Sequence, residues 1–366
     1  MNKAIKYRLY PTTEQAILFA KTFGCCRKIY NLMLADKIAY YEETGETLKN
    51  TPAQYKEDYP FLKEVDSLAL ANEQLHLQTA YKNFFRDKKV GFPKFKSAKH
   101  SHKTYTTNNQ KGSIAIFDKE IKLPKAGKVK AVIHRLPNSD WKLKSATISQ
   151  NRDGQYYVSI LFEYEENITP ISNYDNAIGL DYKSDGLYMD SNGNKAENYH
   201  KYYRDNQVKL AKAQRKLKNK TIGSNNYKKQ QRKIAKVHKH TANQRLDYLH
   251  KLSTKIANSY DVVCIESINM QSVANKKNFI AKATLDNGYG MFTTLLKYKL
   301  ADRGKFLVEV DKWYPSSQIC SCCGNQQKLN LSDRIYKCDC GLVIDRDLNA
   351  AINILNEGLR ILSEKI

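Results

Sequence analysis

The feature that most constrains this 366-residue chain is a pair of cysteine turns near its C-terminal end. The first turn spans Cys320–Gly324 and the second spans Cys338–Gly341, so each turn ends in a glycine. Glycine tolerates the sharp backbone bend behind two converging sulfurs, and four thiolates in two such turns can surround a zinc ion tetrahedrally. The spacing predicts a zinc ribbon, a small fold that its metal holds together.

We predict that Cys320, Cys323, Cys338 and Cys340 hold one structural Zn²⁺. Cys322 is the alternative ligand in the first turn, because pairing it with Cys320 would repeat the Cys-x-Cys spacing of the second turn. Cys323 is preferred because it directly precedes a glycine, as Cys340 does. Two disulfides are the competing interpretation. The N-terminal sequence has no signal-peptide pattern, so we expect a reducing prokaryotic cytoplasm, with the protein on the nucleoid when bound to DNA, and this favours the metal.

The chain is strongly basic, with 61 lysines and arginines against 37 acidic side chains and a formal net charge of +24. An excess of this size predicts a polyanionic partner. A membrane is the competing partner, but the sequence has no apolar run of about twenty residues and its basic residues do not flank an apolar face. The 25 tyrosines supply rings on which bases can stack. We therefore expect nucleic acid, in more than one strand, and no membrane.

The first half of the chain changes from strand to helix and back to strand. Lys3–Tyr10 alternates as a strand does, and Thr12 and Gln15 have the capping-box spacing that begins a helix. Apolar residues on both sides of Gly24 predict an amphipathic pair of helices. A later helix is predicted from about Leu68 to Phe85, and three strands follow at Lys128–Leu136, Leu143–Gln150 and Gln155–Tyr164. This order predicts a β-barrel that is interrupted by a helical insertion.

The second half begins with a short apolar strand, Ala177–Asp181, which is expected to form a hairpin with Gly186–Asp190. Between Lys201 and His240 a helical pattern carries fourteen basic residues and one acid, Asp205. A solvated helix face is the usual explanation of a charge run. Because the run lacks interleaved acids, we predict a basic helical hairpin that follows a phosphate backbone.

Three carboxylates stand at the ends of predicted elements. Asp181 and Glu266 end apolar strands, and Asp347 stands where the last helix begins. If the strands are neighbours in one sheet, the carboxylates meet at one edge, where they repel one another unless hard cations lie between them. Mg²⁺ prefers such oxygens and shares its remaining sites with phosphate, so the pattern predicts two Mg²⁺ ions that activate water and stabilise a leaving 3′ oxygen. The ordinary alternatives are a strand end for Asp181 or Glu266 and a helix N-cap for Asp345 or Asp347.

The sequence resembles TnpB, the transposon-encoded family that is related to the miniature type V CRISPR effectors. The most specific matches are Tyr314–Gln318 and Asp345–Ala351. Further matches are spread over nearly the whole chain, at Lys6–Thr12, Phe23–Arg27, Ala80–Phe85, Phe92–Lys96, Leu123–Lys125, Ile178–Asp181 and Ile265–Glu266. One departure concerns the second cysteine turn, which is Cys-x-Cys where many members have Cys-x-x-Cys.

The resemblance implies a multidomain α/β fold plus a β-barrel. Its RuvC-like (RNase H-like) nuclease domain would carry Asp181, Glu266 and Asp347 as catalytic residues. The implied domains are a wedge-like β-barrel at 1–12 and 103–172, a helical recognition insert at 13–102, the nuclease domain at 173–311 and 345–366 with the basic hairpin at 200–258, and the zinc ribbon at 312–344.

The resemblance also implies a function, an Mg²⁺-dependent and RNA-guided DNA endonuclease that a transposable element encodes. The enzyme would cut double-stranded DNA beside a short flanking motif, with a guide RNA from the transposon end, as a monomer. Leu48–Gln74 is expected to face that motif. The candidate nucleic-acid contacts are Arg8, Lys82, Asn83, Lys94, Lys96, Lys212, Arg215, Lys216, Lys229, Arg232, Lys233 and Lys236.

Three other functions fit parts of the pattern. A transposase that acts directly on DNA would use the same acidic residues. A guided DNA-binding protein without cleavage would need no carboxylates, although all three are present. A zinc-ribbon RNA binder would leave Asp181 and Glu266 without a role. A discrete RNA that copurifies with the protein would favour the guided enzyme.

Overall fold

The computed structural model describes residues 1–275, 281–330 and 333–364. The chain forms two compact units, an N-terminal unit of Met1–Glu166 and a C-terminal unit of Asn167–Ile366. Both units combine helices with a β-sheet. Within the described ranges, no helix is long and apolar enough to cross a membrane.

The N-terminal unit contains an antiparallel sheet of seven strands. The strands are β1 (Asn2–Tyr10), β2 (Lys103–Asn108), β3 (Ala115–Ile116), β4 (Glu120–Leu123), β5 (Gly127–Val132), β6 (Lys142–Gln150) and β7 (Tyr156–Glu163). Their order is β2-β6-β7-β1-β5-β4-β3. This confirms the strand expected at Lys3–Tyr10 and the three later strands, the first of which ends earlier than predicted. In this fully described unit, β2 and β3 are the edge strands of the sheet and do not pair with each other. The β-barrel therefore stays a prediction.

The strand β1 shows why the sheet has one core face and one outer face. Its alternation places Ile5, Tyr7 and Leu9 in the core, while Arg8 and Tyr10 lie on the other face. Two helices cover the core face, and their buried side chains join it in one apolar cluster. These helices are α1 (Thr13–Thr44) and α2 (Ser67–Arg86).

Helix α1 corrects the predicted pair of helices around Gly24, because it is one continuous helix of 32 residues. The capping box is confirmed, since the Gln15 backbone N–H donates to Thr12 Oγ1 at 3.3 Å and the Thr12 N–H donates to Gln15 Oε1 at 3.0 Å. A glycine inside a helix costs only about 1 kcal/mol, which the buried apolar face outweighs. The helix ends at Gly45, where φ is 72°, a backbone conformation that favours glycine.

The C-terminal unit is built on a sheet of four strands in the order β11-β10-β8-β9. The strands are β8 (Ala177–Lys183), β9 (Leu187–Asp190), β10 (Val262–Glu266) and β11 (Phe306–Val310). The strands β8, β10 and β11 are parallel, and β9 is the antiparallel hairpin partner of β8. The sheet confirms the predicted hairpin and makes the strands of Asp181 and Glu266 neighbours. Asp181 is not the last residue of β8, which continues for two residues to Lys183.

Helices cover both faces of this sheet. The described helices of this unit are α3 (Tyr202–Lys218), α4 (Asn225–Ser259), α5 (Met270–Val273), α6 (Ala281–Asn287), α7 (Tyr289–Ala301) and α8 (Arg346–Ser363), of which α4, α7 and α8 pack on the sheet. Leu249 of α4 and Phe292 of α7 are fully buried in one apolar cluster with the sheet, and Ile354 of α8 is fully buried in a second cluster. Helices α3 and α4 confirm the predicted helical hairpin.

Helix α8 lies against the sheet at two glycines, and this contact positions its first turn. A Cβ atom on Gly179 of β8 would lie 2.2 Å from the carbonyl oxygen of Ala351, and one on Gly358 of α8 would lie 2.3 Å from Cys264 Sγ. Neither position has room for a side chain. The close approach holds the N-terminal end of α8, with Asp347, beside β8 and β10.

Before α8, the strands β12 (Ile335–Lys337) and β13 (Val343–Asp345) form a short antiparallel hairpin whose loop is the second cysteine turn. Tyr336 of β12 is fully buried, and its hydroxyl donates to the backbone oxygens of Gln318 and Asn325. One tyrosine thereby ties the hairpin to the first cysteine turn.

Candidate functional site

The structure brings Asp181, Glu266 and Asp347 together at the lining of one pocket of about 430 Å³. Asp181 comes from β8, Glu266 from the end of the adjacent parallel strand β10, and Asp347 from the first turn of α8. The two strands run in the same direction, so their carboxylates reach the same edge of the sheet. This is the arrangement that the sequence predicted for the three carboxylates.

The two late aspartates have different roles in the structure. Asp345 is the N-cap of α8, and its Oδ1 accepts the backbone N–H groups of Asp347 at 2.9 Å and of Leu348 at 3.1 Å. This is the ordinary capping interaction. Asp347 lines the pocket instead, so the N-cap interpretation belongs to Asp345.

The pocket disfavours the ionised form of its carboxyl groups. Burial raises the pKa of Asp181 well above its ordinary value, and the negative charges of Asp347 and Glu266 raise it further. Burial also raises the pKa of Glu266. Bound cations would remove this penalty, because they favour the ionised carboxylates.

Two basic side chains of the site were missed at the sequence level. The ammonium of Lys183 pairs with Asp347 Oδ2, and Arg346 Nε lies 3.9 Å from Asp347 Oδ1. Lys183 follows Asp181 by two positions on one strand, so both side chains lie on the same face of the sheet. This two-residue spacing could have identified Lys183 as a residue of the site. A positive charge therefore lies against Asp347 where a metal ion would be expected.

The donor set fits hard cations, since it consists of carboxylate oxygens beside a countercharge. Among the residues that the structure describes, the three carboxylates do not converge on one point as the cysteine thiols do. They line a pocket instead, which leaves space for more than one ion and for a phosphate group.

The second cluster consists of Cys320, Cys323, Cys338 and Cys340, whose sulfurs all lie within 4.8 Å of one another. The Sγ atoms of Cys320 and Cys340 are 3.6 Å apart, and those of Cys323 and Cys338 are also 3.6 Å apart. Four thiolates at 2.3 Å from a tetrahedral Zn²⁺ would be about 3.8 Å apart, whereas bonded sulfurs would be about 2 Å apart. The spacing fits a zinc ion and not the two disulfides. Cys322 is exposed and is not part of this cluster in the described chain.

The four thiols differ in how readily they ionise. Burial disfavours the thiolate of Cys320, but the backbone N–H groups of Cys323 and Cys322, together with the thiols of Cys338 and Cys323, outweigh it and lower the pKa of Cys320 to about 7. A thiolate is the form that binds zinc. The backbone bend that brings these N–H groups together continues to Gly324, where φ is 75°.

Two buried asparagines of α8 connect the cysteine cluster with the carboxylate pocket. Asn349 accepts the backbone N–H of Ser321 at 3.0 Å and donates to the carbonyl oxygen of Ile319 at 2.7 Å. Asn353 donates to the carbonyl oxygens of Ser316 and Ile319. The first cysteine turn is thereby fastened to the helix that carries Asp347.

Most candidate nucleic-acid contacts lie on the α3–α4 hairpin and are exposed. None of the seven candidates on this hairpin pairs with a carboxylate in the part of the chain that the structure describes. They are Lys212, Arg215, Lys216, Lys229, Arg232, Lys233 and Lys236. Buried Leu210 and Gln230 hold the two helices together, and the Gln230 amide donates to the carbonyl oxygen of Ala213 at 2.8 Å.

The remaining candidates lie in the N-terminal unit. Arg8 is on the outer face of the sheet, where its guanidinium lies 5.0 Å from the ring centre of Tyr157 and 5.1 Å from that of Tyr10. Lys82 and Lys94 are exposed, and Asn83 is partly buried. Lys96 has an internal role, because its ammonium lies 2.6 Å from the buried Glu73 carboxylate and 4.0 Å from the Tyr30 ring centre.

Three family models match parts of the chain. Residues 1–46 match a family described as "Helix-turn-helix domain", residues 159–277 match "Probable transposase", and residues 289–354 match "Cas12f1-like, TNB domain". Residues 1–46 form one strand and one continuous helix in the structure. The third match contains the cysteine cluster and Asp347.

Curated relatives match over nearly the full length. A "Putative RNA-guided DNA endonuclease" of Streptomyces pristinaespiralis is 37% identical over 98% of this chain and 90% of the relative. The "Putative RNA-guided DNA endonuclease InsQ" of Escherichia coli is 30% identical over 99% of this chain and 93% of the relative. The "TnpB-like protein L79" of a mimivirus of Acanthamoeba polyphaga is 34% identical over 38% of this chain and 28% of its own length.

The fold is also similar to a solved structure whose description reads "Cryo-EM structure of the Cas12f1-sgRNA-target DNA complex". The similarity has a TM-score of 0.62, covers 97% of this chain and 99% of the other, and is accompanied by 14% sequence identity. It shows a shared fold. With the near-complete match to the Streptomyces pristinaespiralis protein at 37% identity, the chain belongs to the TnpB family, whose curated relatives are named as RNA-guided DNA endonucleases.

Proposed function

We propose that this protein is an RNA-guided DNA endonuclease that a transposable element of the IS605 type encodes. The observation that carries the proposal is the pocket shared by Asp181, Glu266 and Asp347 in a chain that matches such endonucleases from end to end. A site of acidic residues beside basic ones suits a phosphodiester, whose charge must be neutralised while its bond is broken.

In the proposed reaction, Asp181, Glu266 and Asp347 would hold two Mg²⁺ ions, which would supply activation of the attacking water and stabilisation of the leaving 3′ oxygen. Asp181 and Glu266 keep fixed positions because they belong to neighbouring strands, and Asp347 is fixed by the close packing of α8. Lys183 and Arg346 add positive charge beside Asp347 and attract the phosphate.

The cysteine cluster is proposed to hold one structural Zn²⁺ through Cys320, Cys323, Cys338 and Cys340. The zinc would stabilise the ribbon, and Asn349 and Asn353 would transmit its position to α8. The zinc has no part in the chemistry, because four protein ligands leave no open position for a substrate.

We further propose a division of the chain that follows the family. The sheet of the N-terminal unit would be the wedge-like barrel, with α1 and α2 as the recognition insert and Leu48–Gln74 beside the flanking motif. The sheet of the C-terminal unit would be the RuvC-like domain, with the α3–α4 hairpin as a phosphate-binding surface. The guide RNA from the transposon end and the duplex DNA would be the partners of a monomer.

A transposase that acts directly on DNA is the second candidate, since one matching family model carries that description. The two functions differ in what copurifies with the protein. A guided enzyme retains a discrete RNA of defined sequence, whereas a transposase cuts element ends without RNA.

The proposed catalytic role is tested with alanine variants of the three carboxylates. Asp181→Ala, Glu266→Ala and Asp347→Ala should each lower plasmid cleavage by at least about a thousandfold while target binding in a gel-shift titration stays within about threefold, because a metal ligand and not a DNA contact is lost. Asp345→Ala is the matched control and should keep its cleavage rate, with a melting temperature lowered by the loss of the helix cap. Full activity of Asp347→Ala would contradict the assignment.

A further inference from the structure

The pocket that holds the three carboxylates has a second feature, a tryptophan that the catalytic proposal does not use. Trp313 lines this pocket, and its side chain is 80% exposed. The adjacent Tyr314 packs against an apolar cluster instead. A large apolar ring held in water gains little for the fold, and such a ring beside a polar pocket is suited to binding.

Hydrogen bonds hold the backbone around Trp313, so the residue stays beside the pocket. The Trp313 backbone N–H donates to Asp311 Oδ1 at 2.8 Å, and the Tyr314 N–H donates to the Asp311 carbonyl oxygen at 3.0 Å. A few residues later, the Ser316 carbonyl oxygen accepts from the buried Asn353 of α8 at 2.8 Å. The segment is therefore attached to the same helix that carries Asp347.

The charges beside the ring complement a nucleotide. The ammonium of Lys312 lies 4.9 Å from the centre of the Trp313 ring, and both side chains line the carboxylate pocket. An aromatic face beside a positive charge offers a surface for a base and a partner for its phosphate. A base that is paired in a duplex has its faces covered by its neighbours, so only an unpaired base can use this surface.

We propose that Trp313 is a stacking platform for a nucleobase of single-stranded DNA and so positions the DNA strand at the carboxylate pocket. Lys312 contacts the phosphate of the same nucleotide. This inference rests on the proposed function, because it takes the carboxylates to act on DNA. Trp313 is a positioning residue, and the base that it holds selects which phosphodiester reaches Asp181, Glu266 and Asp347.

The chain has two tryptophans, which makes the stacking directly measurable. Trp141 is in the N-terminal unit, where it stacks on Tyr164 with ring centres 4.5 Å apart. Trp141→Phe therefore leaves Trp313 as the fluorophore, and Trp313→Phe leaves Trp141 as a matched control. Each full-length chain, freed of RNA, is titrated with single-stranded oligothymidylate in buffer without added magnesium, and binding is followed independently by the anisotropy of a labelled strand.

The Trp313 emission should be quenched as the oligonucleotide saturates the protein, and the Trp141 emission should stay constant. A strand of the same length with abasic sugars should bind by its phosphates and leave the Trp313 emission unchanged. Equal quenching by the abasic strand, or saturation without quenching of Trp313, would overturn the proposal. The titration needs neither guide nor cleavage, so its failure and the failure of the proposed function are separate results.

A kinetic test uses the complete guided complex. Stacking of one base on an aromatic ring predicts that Trp313→Ala raises the KM for cleavage of a matched DNA about tenfold, while Trp313→Tyr stays within about threefold of the original protein. The melting temperatures of both variants report whether the fold is kept. An unchanged KM in a folded Trp313→Ala protein would show that the ring does not position the DNA.

Discussion

At the residue scale, the structure separates side chains that share a chemical type but not a role. Asp345 caps a helix and Asp347 lines the pocket, although the two lie two positions apart. Asp181 and Glu266 were predictable from the sequence, because apolar strands that end near a carboxylate are a local pattern, whereas the choice of Asp347 over Asp345 came from the family resemblance. The pairing of Lys183 with Asp347 was not predictable in the same way, since these residues come together only when α8 packs on the sheet.

Lys299 of α7 is a buried lysine whose charge affects stability rather than the site. Its ammonium donates to the carbonyl oxygen of His250 and to the hydroxyls of Ser253 and Thr254. Burial, with a smaller contribution from the charge of Arg303, lowers the pKa of Lys299 from 10.5 to about 8. The unfolded chain keeps this proton up to about pH 10.5, so between pH 8 and 10.5 the unfolded state binds more protons than the folded state.

We therefore predict that Lys299 makes the protein more stable as pH rises through that window. Relative to a Lys299→Met variant, the original protein should gain free energy of unfolding on the order of 1 kcal/mol per pH unit, which urea titrations at several pH values can measure. The comparison with the variant cancels the other groups that titrate in this range. Parallel pH profiles of the two proteins would contradict the lowered pKa.

At the element scale, close backbone contact and not helix propensity decides what a glycine does. Gly24 lies inside α1 with nothing within 4 Å of its would-be Cβ, whereas Gly179 lies on β8 against the backbone of α8. The sequence suggested a helix boundary at Gly24 because it shows the residue type and not the packing around it. For the same reason, the close packing at Gly179 and Gly358 could not be predicted from the sequence.

Alanine substitutions at two of these glycines should therefore have opposite effects. Gly179→Ala should lower the free energy of unfolding by about 3 kcal/mol or more, because its Cβ would lie 2.2 Å from a helix carbonyl oxygen. Gly24→Ala should raise it by about 0.5–1 kcal/mol, because alanine favours the helix and meets no neighbour. Thermal and urea unfolding of both variants measures the pair. An unchanged free energy of unfolding in the Gly179→Ala protein would mean that α8 does not pack so closely on β8.

The cysteine ribbon gives a second prediction at this scale. Metal analysis should find one zinc per chain, and serine at Cys320, Cys323, Cys338 or Cys340 should lower that content and the melting temperature. Cys322→Ser is the matched control and should keep its zinc, because Cys322 is exposed and outside the cluster. Retention of zinc in Cys323→Ser together with its loss in Cys322→Ser would reverse the ligand choice.

At the scale of the whole molecule, the sequence was most informative where local patterns repeat and least where distant segments meet. The helical hairpin, the four converging thiols and several strands, among them β1, β6, β7 and β8, follow from period, spacing and charge. The strands β2, β3 and β4 were not predicted. The order of the seven strands depends on long-range pairing, such as that of β1 with β7, which a single sequence does not encode locally. The exposure of Trp313 could also not be predicted from the sequence, because exposure is a property of the folded chain.

With a net charge of +24, the protein can bind any nucleic acid by releasing counterions. Binding alone therefore does not distinguish a guided enzyme from a general basic nuclease. Guided recognition differs, because base pairing with the RNA chooses the site and the protein reads only a flanking motif and the shape of the duplex. The two explanations separate when the guide is changed and the protein is not.

The most direct test is to reprogram the guide. The protein is purified free of RNA, reconstituted with a guide of new sequence, and given a plasmid with the old and the new target, each beside the same flanking motif, at near-physiological salt. We predict that cleavage moves to the new target and that protein without RNA does not cut. Cleavage that stays at the old site, or equal cleavage without RNA, would contradict guided recognition and favour a transposase that acts directly on DNA.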